Sequence, residues 1–171
     1  MDIAVRLAEP TDAPELPIIE HDAAQVFRAV EGLEWIAREA AGGGETYLDL
    51  VEAGTVWVAD AGGVLCGFLA ARVEGEEFHI VELSVRRSQQ RRGVARALIE
   101  RAALEARRLA LSALTLTTFR DVPWNAPLYR HLGYRDLAED ELGPELRRLR
   151  DDEAAHGLDP SRRVCMRRDI E

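Results

Sequence analysis

The spacing of apolar residues along the chain changes period several times, and each change marks an element. Ile3 to Ala8 alternates apolar and polar positions and predicts a short strand. Thr11 then reads as an N-cap with acidic residues just behind it, opening a helical run to about Arg28. A second helical patch covers about Glu31 to Ala41, "AGGGET" is a loop, and "YLDLVEAG" predicts one more short helix. The β-branched and apolar stretches "TVWVAD", "VLCGFLAARVEG" and "EFHIVELSVR" follow, the first two joined by the turn sequence "DAGG", and predict an antiparallel meander. From Gly93 the pattern is helical again, with Val94, Ala97, Leu98, Arg101, Ala102, Leu104 and Glu105 at helical spacing and an end near Arg108. "ALTLTTF" predicts a strand, "PWNAPLYRHLG" a short helix closed by Gly133, and "YRDLAED" another strand. Leu142 to His156 is a charged helix that Gly157 would cap, and "RRVCMRRDI" is a last strand. The expectation is mixed α/β with one central sheet.

Composition narrows the function classes. With 171 residues and 47% hydrophobic residues, the chain suits a single domain spanning 1–171. No apolar run approaches the roughly 20 residues that cross a bilayer, and "MDIAVRLAEP" lacks the basic-then-apolar pattern of a secretory leader. A cytoplasmic location and no membrane partner are therefore expected. Cys66 and Cys165 lie far apart in apolar, strand-like stretches, which favours buried thiols over a disulfide or a metal site. All 22 basic residues are arginine, a bias that suggests a GC-rich, bacterial genome and leaves no lysine for Schiff-base chemistry. At a formal charge of -9 the whole molecule repels nucleic acid, so any bound anion must be met locally.

One stretch meets that requirement. "VELSVRRSQQRRGVARALIERA" carries six arginines, two of them directly before a glycine, where a strand ends and a helix begins. Glycine at a helix start lets main-chain amides approach a ligand closely, and those amides with the helix dipole attract phosphate. On the arginines alone, a solvated basic helix start is the plainer reading. The spacing alters the balance: Gln90-Arg91-Arg92-Gly93-Val94-Ala95 fits Q/R-x-x-G-x-G/A behind the strand end "LSV" and resembles motif A of the GNAT superfamily of N-acetyltransferases. "NAPLYRHLGY" resembles that superfamily's second signature, and the element order agrees over about residues 3–140, leaving a C-terminal helix and strand at about 141–171. A P-loop or a G-x-G-x-x-G dinucleotide site finds no match.

The resemblance implies an acyl-CoA N-acyltransferase fold of α+β type, with a central, mostly antiparallel mixed sheet flanked by helices. It implies acetyl-CoA as cosubstrate, an amine acceptor and no metal. In this family the strand before motif A splays from its neighbour and takes the pantetheine arm like an added strand, which places Leu83, Ser84 and Val85 against that arm. The amides from Arg91 through Arg92, Gly93, Val94 and Ala95 to Arg96, behind Gln90, would hold the pyrophosphate. Tyr129 resembles the tyrosine that protonates the departing thiolate. Asn125 sits one helical turn before it, with a CoA contact and a plain helix-start role standing level; the family's usual asparagine position is Val122 here. For the general base His79 comes first, Glu82 second and an ordered water third. Gln25, Phe27, Glu31, Trp35, Phe119, Asp121 and Trp124 are weak leads for the acceptor site. The reading is direct transfer to a primary amine of a small molecule or peptide in a ternary complex. Its alternative is a non-catalytic acyl-CoA sensor on the same fold. A homodimer through the last strand is the protein contact considered.

Overall fold

The computed structural model describes residues 2–39 and 43–171; the first residues of the "AGGGET" loop lie outside them. The fold is mixed α/β, with helices flanking a mostly antiparallel set of strands. The chain forms two compact units, Met1–Arg72 with Ile80–Glu105, and Val73–His79 with Ala106–Glu171.

In the first unit β1 (Ala4–Leu7), β2 (Val56–Asp60) and β3 (Leu65–Glu74, to Arg72 in this unit) pair antiparallel in that order, followed by the Ile80–Val85 part of β4 (Glu77–Val85). Ala61 and Val64 close the β2–β3 turn, with Gly62 and Gly63 at φ of 70° and 90°; two successive positive φ values are what a tight hairpin needs and what glycine supplies. α1 (Leu16–Ala24) contributes Leu16 and Ile19, and α3 (Glu45–Glu52) contributes Tyr47 and Val51. They pack on Val56 and Val58 of β2 and Phe68 and Ala70 of β3, which share a face because strand side chains repeat every second residue. α2 (Glu34–Arg38) is shorter than predicted. α4 (Val94–Arg108) buries Val94, Leu98, Ile99 and Ala102 at helical spacing.

The predicted helix from Thr11 to Arg28 is broken into a 3-10 turn, α1 and a second 3-10 turn. Pro10, Pro14 and Pro17 remove main-chain donors, so the first segment cannot continue as a regular helix. Thr11 is not the cap. The Asp12 carboxylate accepts the Glu9 amide at 2.8 Å and pairs with Arg6 at 2.7 Å, and the guanidinium holds its carboxyl below the usual range.

In the second unit Glu77–His79 of β4 lie parallel to Ala113–Thr115 of β5 (Ala113–Phe119). β7 (Arg163–Asp169) pairs antiparallel with the whole of β5, and β6 (Arg135–Asp136) pairs with the other side of β7 at Arg167 and Met166. The predicted strand "YRDLAED" is thus only two residues long before the Glu141 carboxylate accepts the Ala138 amide and starts a 3-10 turn. α6 (Pro144–Ala155) packs through Leu146 on Cys165, joined by Leu142 just before the helix. Its Glu153 is clasped by Arg163 at 3.0 Å, both side chains 11% exposed, while Arg163 also lies over the Phe119 ring at 4.6 Å and donates to Thr117. The last strand therefore has partners on both sides at Met166 and Arg167.

Candidate active site

The first unit carries the strand end and the turn. Along β4, Glu82 and Leu83 are partly exposed while Ser84 and Val85 are buried. Ser84 Oγ donates to Glu82 Oε1 at 2.7 Å, as two residues on one face of a strand can. Beside them β3 has Gly67, where a Cβ would stand 3.0 Å from the Ser84 carbonyl oxygen, 3.2 Å from Val94 Cγ1 and 3.3 Å from Val85 Cγ2. A glycine here is what lets β3 pass so close to the end of β4 and the start of α4.

After Val85 the arginines separate into two kinds. The Arg86 amide donates to the Cys66 carbonyl at 2.8 Å, and its guanidinium donates to the Leu65 carbonyl and pairs with Glu15. Arg87 is held by Asp22. Arg91, Arg92 and Arg96 are exposed and make no ion pair among the described residues. Gln90 turns back, its Nε2 donating to the Val85 carbonyl at 3.0 Å. Arg91 and Gly93 both take positive φ, 62° and 82°, and a Cβ on Gly93 would meet nothing within 4 Å. The first bond inside α4 runs from the Ala97 amide to the Gly93 carbonyl, so the amides of Val94, Ala95 and Arg96 precede the helical ladder.

Sequence reasoning missed a second feature of this unit. Tyr47, 5% exposed, donates to Glu20 Oε2 at 2.5 Å across 27 residues of chain. Burial pushes the Glu20 carboxyl up, with the phenol hydrogen bond opposing and the Glu39 charge adding to it. Burial also raises the Tyr47 phenol, aided by the charges of Glu82 and Glu20, so it stays a donor. The helical and strand patterns gave no signal of this pair.

The second unit carries the other candidates. His79 is buried, with Nδ1 3.0 Å from Thr115 Oγ1, its partner in the parallel ladder. Asn125 is the residue before α5 (Ala126–His131); its carbonyl accepts the Tyr129 amide at 3.0 Å and its Nδ2 donates to the Trp124 carbonyl. Asn125 Oδ1 is buried and accepts no hydrogen bond among the described residues. Tyr129 is partly exposed, its ring edge-on to Tyr134 at 5.5 Å. The structure thus groups Glu82 to Arg96 in one unit, and His79, Asn125 and Tyr129 in the other. Of the acceptor leads, Phe119 is buried beneath Arg163, Asp121 pairs with Arg162 at the surface, and Gln25 donates to the Ala37 carbonyl. Among the described residues no helix is long and apolar enough to cross a membrane, and no cluster of three potential metal ligands occurs.

Residues 52–136 match the family model described as acetyltransferase (GNAT) domain, a span that begins in α3 and reaches β6. The fold is similar to that of PaiA N-acetyltransferase from Thermoplasma acidophilum in complex with coenzyme A, at 15% identity and TM-score 0.72 over 99% of both chains. An acetyltransferase of the GNAT family from Staphylococcus aureus has 12% identity and TM-score 0.70 over 99% of this chain and 100% of its own. Rv2747 from Mycobacterium tuberculosis, in complex with CoA, has 18% identity and TM-score 0.69 over 98% and 99%. At such identities the structural likeness is one of fold. The matched family model, whose span includes both signatures, assigns the chain to the GNAT acetyltransferases.

Proposed function

We propose that the chain is an acetyl-CoA-dependent N-acetyltransferase that acts on a primary amine of a small molecule or peptide, by direct transfer in a ternary complex. We take both units as parts of one acetyltransferase domain, a reading supported by a family match that draws residues from each. The observation that carries the proposal is the turn before α4. Two left-handed residues present the amides of Val94, Ala95 and Arg96 ahead of the helix, and three exposed arginines that make no ion pair among the described residues lie in the same segment of a chain of charge -9. This suits a diphosphate far better than it suits an isolated surface helix. The main chain of Leu83 to Val85 would face the pantetheine arm; separately, the buried Asn125 Oδ1, which accepts no hydrogen bond among the described residues, supports a ligand contact of its own.

In the reaction the amine first loses a proton, and its nitrogen lone pair then attacks the thioester carbonyl carbon. The C–S bond breaks as the C–N bond forms, the new amide nitrogen releases its surplus proton to solvent, and the leaving sulfur takes the phenolic proton of Tyr129, which solvent later returns. Of the two base candidates we favour Glu82, which is partly exposed and accepts a hydrogen bond from Ser84, over His79, which is buried against Thr115. The test is a screen of polyamines, aminoglycosides, amino acids and peptide N-termini that follows CoA release from acetyl-CoA. Release with at least one amine class is expected; CoA binding with no release on any amine would mean a sensor instead.

A further inference from the structure

Asp22 does something unusual for an acid beside a phosphate-binding turn. One carboxylate takes three hydrogen bonds from a single residue: the Arg87 amide reaches Oδ2 at 2.8 Å, and Arg87 Nε and Nη2 reach Oδ1 at 3.3 and 3.2 Å. The partners are 65 residues apart. Arg87 is the first residue of the 3-10 turn Arg87–Gln89, so Asp22 caps that turn from another helix and satisfies an amide that the turn leaves without an internal partner. The residue before it, Arg86, is pinned through its amide to Cys66, through its side chain to Leu65, and to Glu15 at the start of α1. The Arg87 carbonyl in turn accepts the Gln90 amide. The path of the chain into Arg91 and Gly93 is thereby set from outside, by α1.

Charge alone argues against an aspartate here, because a carboxylate near a bound diphosphate repels it. Arg87 neutralises Asp22 and is itself spent in doing so, while Arg91, Arg92 and Arg96 keep their charge for the ligand. We infer that Asp22 is a positioning residue for coenzyme A: its carboxylate caps the 87–89 turn and so sets the geometry of the 91–96 amides, without touching the cofactor. The inference rests on the reading of that turn as the diphosphate cradle.

The experiment is calorimetric titration with CoA, together with steady-state kinetics on an accepted amine, for the wild type, Asp22→Ala, Asp22→Asn, Arg87→Ala and Gly93→Glu. Asp22→Ala is expected to weaken CoA binding and raise the acetyl-CoA KM by about tenfold, the loss of one charge-assisted main-chain bond of about 1.4 kcal/mol. Its kcat at saturating acetyl-CoA and its amine KM should stay within about twofold. Asp22→Asn keeps an oxygen for the Arg87 amide, and Arg87→Ala keeps the amide itself, so each should weaken CoA by only about threefold. Unchanged or tighter CoA binding in Asp22→Ala would overturn the inference, since the carboxylate would then act only as a repelling charge. So would a fall in Tm with parallel losses in kcat and both KM values, the mark of a merely structural role. Gly93→Glu separates the two readings. Intact CoA affinity in that variant removes the cradle itself, whereas its loss beside an unaffected Asp22→Ala removes only the role of Asp22.

Discussion

Gly67→Ala adds one methyl group at the place where three structural elements meet, and its cost can be worked from the contacts. The new Cβ would lie 3.0 Å from the Ser84 carbonyl oxygen, 3.2 Å from Val94 Cγ1 and 3.3 Å from Val85 Cγ2, where ordinary contact begins at 3.4 Å. None of the three can retreat easily. The first is strand main chain, and the valines are β-branched and only 2% and 8% exposed. Overpacking of this kind costs about 1–3 kcal/mol, from which about 0.5–1 kcal/mol is recovered because alanine loses less backbone freedom than glycine on folding. The net destabilisation is about 0.5–2 kcal/mol, or about 1–8 °C in Tm at this chain length. The strain pushes on the end of β4 and the first residue of α4, so CoA affinity should fall in the same variant, by about threefold or more. Thermal melting by circular dichroism reads the first effect and CoA titration the second. A Tm within 1 °C of wild type with unaltered CoA affinity would refute the idea that Gly67 sets the spacing of strand and helix.

Tyr129→Phe removes the proposed proton donor to the leaving thiolate and should lower kcat by about 100-fold; an unchanged rate across pH would end that assignment. Glu153→Ala strands the Arg163 guanidinium in a nearly dry site and should cost about 3 kcal/mol, a Tm drop of about 6–12 °C by calorimetry. Glu20→Gln tests the buried carboxyl. Burial raises its folded value, so the folded state holds that proton more tightly and wild-type stability is lost as pH rises from the ordinary glutamate range towards the folded value. The glutamine still accepts the Tyr47 hydroxyl and does not ionise, so urea denaturation should find the variant gaining on wild type between acidic and neutral pH; parallel curves would contradict the assignment.

Local patterns carried the strand ends, α4, the "ALTLTTF" strand and the motif at Gln90–Ala95, because each rests on neighbours within a few residues. Gly67 was also visible in principle, since glycine inside an apolar strand marks a close approach. What was not legible depends on distance along the chain. Asp22 and Arg87, Glu20 and Tyr47, and Glu153 and Arg163 are pairs that only the fold creates. The C-terminal strand shows the same limit: read as an extension, it lies between β5 and β6, because its seven-residue register with β5 is a long-range pairing. The prolines at 10, 14 and 17 were in plain sight, yet the helical spacing of the apolar residues between them outweighed them in the reading.

The central claim is transfer of an acetyl group from CoA to an amine nitrogen without an acetylated enzyme. It is tested most directly with acetyl-CoA labelled in its acetyl carbons, mixed with the chain and an amine pool and followed by mass spectrometry of both amines and protein. Label bound through an amide to an amine, with none on Cys66, Cys165 or any other side chain, is the predicted result. Label retained on the protein, or CoA bound with no labelled amine at all, would contradict it.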